Sequence, residues 1–118
     1  MIKTVERNHK ITEQMEDINN LISTIKKEAK PVTQSVEVYE KTNDALFAMI
    51  ELLDDIGGKA YYDLQARIFE ELHELNVCYG DRDLTNEQKL EKLEEIRQEM
   101  IRINSDIYDI KENASELD

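Results

Sequence analysis

Proline occurs once and glycine three times among 118 residues. The chain therefore has few places to turn, and long helices are expected. Tryptophan is absent and phenylalanine occurs twice, so the core must be built mainly from Leu, Ile, Val and Met. Cys78 is the only cysteine. It excludes an internal disulfide and a thiolate cluster for zinc. It reads as a small buried apolar residue in a reducing compartment. No run approaches the roughly 20 apolar residues of a membrane span. The start, Met1 to Arg7, becomes charged at once and forms no signal-peptide apolar region. The expectations are no membrane partner and a location in the cytoplasm. Basic residues are also scarce: 15 against 27 acidic ones, a formal net charge of -12. Such a surface repels a phosphate backbone, so nucleic acid is not an expected partner. Residues 1–30 hold six basic and five acidic residues, whereas the remaining 88 hold nine and 22. The acidity thus begins after the first helix.

What is present is helical periodicity. Hydrophobic residues make up 40% and charged residues 36%, a balance typical of long helices with narrow apolar stripes. Ile11, Met15, Ile18, Ile22, Ile25 and Ala29 alternate in steps of four and three, which keeps one stripe on one side of a helix. Leu21 widens it. A first helix is predicted from about Val5 to Ala29, with Thr4 as its cap.

Pro31 lacks an N–H and disfavours a helical residue before it. It predicts a tight turn over residues 28–31, with Pro31 near the first position of helix two. The apolar spacing nevertheless continues across it through Val32, Val36, Tyr39, Asn43, Leu46, Ile50 and Leu53. One long helix kinked at Pro31 would show the same ladder. Helix two reaches about Ile56. Residues Ala45 to Ile50 are apolar all round, which suits either deep burial or a subunit interface.

Gly57-Gly58 predicts the end of helix two. Helix three is expected from about Lys59 to Tyr79, on the line Tyr61, Leu64, Ile68, Leu72, Leu75 and Tyr79, with Tyr62, Phe69 and Val77 beside it. Gly80 stops it. Thr85 and Gln88 match a capping box at the start of helix four. That helix follows Leu93, Ile96, Met100, Ile103, Ile107, Ile110 and Ala114, flanked by Leu90, Ile101 and Tyr108. The expected fold is all-α: one domain over residues 1–118, an antiparallel bundle of about four helices. The alternative is a three-helix arrangement with the long helix kinked at Pro31, paired as a coiled-coil dimer.

Chemistry-bearing patterns are weak. Glu6/His9 and Glu70/His73 each place a carboxylate and an imidazole three apart on a helix, the spacing used in di-iron bundles. In an up-down bundle the two pairs fall more than about 10 Å apart along the axis at about 1.5 Å per residue. Neither pair lies on a core line. No cofactor or metal site is therefore assigned, and a metal-binding bundle or enzyme is kept only as an alternative. Cys78 and His73 are five apart and do not face each other. No catalytic residue is assigned, and the chain reads as a non-enzyme.

The acidic rows are more informative. Glu87, Glu91, Glu95 and Glu99 recur at four-residue steps on helix four. Glu70 and Glu74 do so on helix three, with Glu71 adjacent. Like charges at this spacing cost a few tenths of a kcal/mol each. They suit a surface that faces a basic protein partner. The expected function is an acidic inhibitor or adaptor that binds such a partner through these seven glutamates. The alternative is a structural homodimer.

Overall fold

The structure is a computed structural model that describes the backbone of residues 2–56 and 61–117 and the side chains of residues 6–56 and 61–109. Among these residues it contains four α-helices: α1 (Ile2–Glu28), α2 (Val36–Ile56), α3 (Tyr61–Gly80) and α4 (Asn86–Leu117). They form an antiparallel four-helix bundle in which α1 and α3 each pack against both α2 and α4. The long dimension, 51 Å, is close to the length of a 32-residue helix such as α4 at about 1.5 Å per residue.

The stripes of α1, α3 and α4 fall where periodicity puts them, except that Ala29, expected at the end of the first stripe, lies beyond α1 and is exposed. Ile11, Met15, Ile18, Ile22 and Ile25 of α1 are buried, as are Leu64, Ile68, Leu72 and Leu75 of α3. Leu93, Ile96, Met100, Ile103 and Ile107 of α4 complete that side of the core. Full burial of each such side chain contributes about 1.5–3 kcal/mol. The side chains of Ile110, Ala114 and Leu117 lie outside the described residues, as do Gly57-Gly58 and Lys59. α1 already runs at Ile2, so Thr4 sits within its first turn and is not its cap.

The α1–α2 connection corrects two expectations. α1 ends in a Schellman turn: the Ala29 N–H donates to Lys26 O and the Lys30 N–H to Ile25 O. Ala29 adopts φ 53°, the left-handed conformation. Pro31 is extended at φ -64°, ψ 133°, and Val32–Gln34 form one 3-10 turn before α2 begins at Val36. The helix is therefore interrupted, which overturns the single helix kinked at Pro31. Pro31 also stands ahead of α2, not at its first position.

The interruption resets the phase of the apolar ladder. The buried stripe of α2 is Val38, Thr42, Ala45, Leu46, Met49, Leu52 and Leu53. Val36, expected in the core, is 56% exposed, and Asn43 and Ile50 are half-buried. A ladder counted through a non-helical turn cannot keep its angle.

Later elements hold this turn. The Val32 N–H donates to Asn86 Oδ1 at 2.7 Å, and Asn86 Nδ2 donates to Lys30 O at 3.1 Å. The Tyr79 hydroxyl donates to Ser35 O at 3.0 Å, and the Tyr79 ring meets Tyr39 edge-on at 5.1 Å. At the other connection, Thr85 and Gln88 form the expected capping box. The Thr85 N–H donates to Gln88 Oε1 at 2.8 Å, and the Gln88 N–H to Thr85 Oγ1 at 3.1 Å. Lys89 is buried. Its ammonium donates to Cys78 O and Asp81 O, both at 2.7 Å, closing the end of α3. The Cys78 thiol donates to Lys89 O at 3.3 Å, and burial pushes its pKa up.

Candidate functional site

Four of the seven acidic residues singled out from sequence come together. Glu71 and Glu74 of α3 and Glu95 and Glu99 of α4 line one groove of about 250 Å³ with Lys92, Ile96 and Arg102. The groove exists because α3 and α4 pack edge to edge with acids just outside their apolar stripes.

The other three acidic residues lie elsewhere. Each four-residue step on a helix advances about 40° around the axis, so the row from Glu87 to Glu99 winds around α4. Glu99 reaches α3. Glu91 lines the opposite groove, toward α1, with Asn19, Glu94 and Arg97, and Glu95 borders both grooves. Glu87 is exposed in the first turn of α4, and Glu70 is exposed on α3.

Within the groove most charges are matched. Lys92 pairs with Glu74. Arg67 donates through Nε and Nη2 to Glu99 Oε1 at 3.1 and 2.8 Å, and through Nη1 to Asp106 Oδ2 at 2.7 Å. Arg102 adds a bond to Glu99 Oε2 at 3.1 Å. The hydrogen bonds from Arg67 hold the Glu99 carboxyl below its usual range. Sequence reading missed Arg67 as a hub. The usable signal was that Glu99 and Asp106 are seven apart, one heptad on the same side of α4, and Arg67 is the only arginine of α3.

Among the described residues Glu71 lacks the ion-pair partner that Glu74 and Glu99 have, and unlike the exposed Glu95 it is half-buried. Burial, reinforced by Glu99, Glu70 and Glu74, raises its pKa from 4.5 to about 7, with Lys92 opposing. A carboxyl poised near neutrality can act as a general acid or base. Here the lining residues include no hydroxyl, thiol or imidazole group for it to activate. What the arrangement offers instead is a polar slot whose least satisfied group is short of one positive charge.

The Glu-x-x-His pairs are exposed. His9 lies 3.2 Å from Glu13, not against Glu6, and both Glu70 and His73 face outward. Among the described residues no three His, Cys, Asp or Glu side chains gather in a metal-holding arrangement. No described helix is long and apolar enough to cross a membrane. Compared with family models, curated proteins and solved structures, the chain matches none.

Proposed function

We propose that this chain is a non-enzymatic binding module that docks on a basic protein and acts as an inhibitor or adaptor of it. The α3–α4 groove carries the proposal. Glu71 is half-buried, and burial first, then the nearby carboxylates of Glu99, Glu70 and Glu74, raises its pKa to about 7. A guanidinium or ammonium from a partner, seated beside it, would relieve that repulsion and let Glu71 ionise. Binding near neutral pH would then release a proton. Glu87, Glu91 and Glu95, exposed along α4, would extend the negative field and speed encounter. Cys78, free and buried, suits work in a reducing compartment such as the cytoplasm.

The test is capture from extract of the source cell on immobilised protein with elution by salt. Wild type is compared with Glu71→Gln and with the triple variant Glu87→Lys/Glu91→Lys/Glu95→Lys. A basic protein that elutes with salt and is lost from both variants supports the proposal. Capture that is indifferent to the substitutions refutes it. With the captured partner purified, calorimetry in buffers of different ionisation enthalpy reads the released proton directly.

A further inference from the structure

The α2–α3 hairpin leaves aromatic side chains in water. Phe47 is 47% exposed, Phe69 50% and Tyr62 76%. Contacts across the hairpin show where they lie. The Tyr39 hydroxyl donates to Asn76 Oδ1 at 2.6 Å, and the Tyr61 hydroxyl donates to Asp54. Asp54 therefore borders the α2–α3 seam from one side and Asn76 from the other. Phe47 is one heptad before Asp54; Phe69 is one heptad before Asn76, and Tyr62 one before Phe69. Residues seven apart on a helix point within about 20° of each other. Both phenylalanines thus flank the same seam. The antiparallel register set by Tyr39 with Asn76 and Asp54 with Tyr61 brings them level.

The charge around them is of one sign. α2 carries six acidic residues against one base, Lys41, and α3 carries four against one, Arg67; Glu37 lines the groove toward α1 and Glu71 and Glu74 the groove toward α4, which leaves seven acids on the rest of the two helices. Arg67 is turned to α4, where Glu99 and Asp106 hold it. Lys41 lines the groove toward α1, with Asp17 and Glu37. The described residues therefore place no lysine or arginine on the aromatic seam.

We infer that this seam docks a basic amphipathic helix of a partner protein. Its apolar stripe would cover Phe47, Phe69 and Tyr62, and its flanking lysines or arginines would meet acids such as Glu40, Glu51 and Glu70. A groove between two antiparallel helices is shaped for a third. A second copy of this chain fits less well, because each copy brings a formal net charge of -12 and the same acidic border. The inference rests on the proposed binding of a basic partner but assigns the contact to a different face from the α3–α4 groove.

The probe is a fluorescent helical peptide with leucines at a and d of each heptad and lysines elsewhere. A peptide of the same composition, scrambled to break the stripe, is the control. Anisotropy titrations use the full chain, the Phe47→Ser/Phe69→Ser variant and the Glu87→Lys/Glu91→Lys/Glu95→Lys variant, each checked for helicity. The striped peptide should bind the wild type, the scrambled one should bind about tenfold more weakly or worse, and the double Phe variant should lose about tenfold or more. The α4 variant should lose less than the Phe variant. Ring resonances of Phe47 and Phe69 in the wild type should shift on titration, a readout that needs no variant. Binding indifferent to the Phe variant, without ring shifts, overturns the seam while leaving the acidic docking function standing. Failure of both peptides to bind overturns the seam, while the capture experiment decides the acidic docking function separately. A wild-type dimer by light scattering that the Phe variant dissolves overturns the inference in favour of self-association.

Discussion

Replacing Glu71 with glutamine should stabilise the protein, and only at neutral and alkaline pH. In the unfolded chain the carboxyl loses its proton near 4.5, and in the bundle near 7. Between those values the folded state binds more protons than the unfolded one. Stability from this group therefore falls as pH rises from 4.5 to 7, and stays lower by a fixed amount above. At about 1.4 kcal/mol per unit the whole shift corresponds to about 3 kcal/mol. Glu71 is only partly buried and water screens the field, which reduces the expected effect to about 1–2 kcal/mol. Glutamine keeps the shape and never ionises. Urea denaturation followed by circular dichroism should find the variant equal to wild type near pH 4 and more stable by about 1–2 kcal/mol near pH 8. In thermal melts the alkaline difference should appear as a Tm about 5 °C higher. The difference between variant and wild type is the quantity to follow, since Glu99 works in the opposite sense. Its depressed carboxyl pKa stabilises the fold above the ordinary carboxylate range and loses that contribution as pH falls. A gap that is the same at both pH values, or a less stable variant near pH 8, would refute the buried, unpaired carboxyl.

Other substitutions test the helices and their joints by the same denaturation assay. Val38→Ala should cost about 2 kcal/mol and Val36→Ala less than about 0.5, reversing the order that a ladder counted through Pro31 implies. Ala29→Gly should stabilise by about 0.5–1 kcal/mol, because glycine takes the left-handed conformation without the penalty that alanine bears. Asn86→Ala leaves the Val32 N–H and the Lys30 carbonyl without their partner and should cost about 1–2 kcal/mol. Lys89→Met keeps the buried stem but abandons the carbonyls of Cys78 and Asp81, at an expected cost of about 2 kcal/mol.

The bundle was legible in the sequence wherever one helix could be read by itself. Ile11 to Ile25, Leu64 to Leu75 and Leu93 to Ile107 each keep phase because nothing interrupts the 3.6-residue period within them. The Thr85 cap was legible because its one partner, Gln88, lies three residues on. α2 was misphased because its angle is set by the turn, and the turn depends on Ala29, an alanine where glycine would have been the signal. Asn86 and Lys89 were opaque for a related reason. The partners of Asn86 lie in the α1–α2 connection and those of Lys89 eight and eleven residues back, at the end of α3, and an asparagine or a lysine near a helix start looks like ordinary surface. Of the acidic row, composition and spacing named the residues. Which of them converge depended on the packing of α3 against α4 and on the 40° drift of each step, which separates Glu91 from Glu99. Phe47 and Phe69 were visible as apolar residues beyond the stripe, but their meeting on one seam required the hairpin register.

The bond pair made by Asn86 has a bearing on how this chain acquires its shape. The reversal between the first two helices is completed by a side chain that follows it by more than fifty positions. During synthesis that reversal emerges long before its clasp exists. An early α1–α2 hairpin would therefore have to survive without the two bonds that tie its bend to α4. Stability of this joint is consequently not a local property of the residues that form it. Cutting the chain after α2 or α3 should loosen a bend whose own sequence is intact. The two hairpins are then halves of one cooperative unit and cannot be exchanged as independent modules.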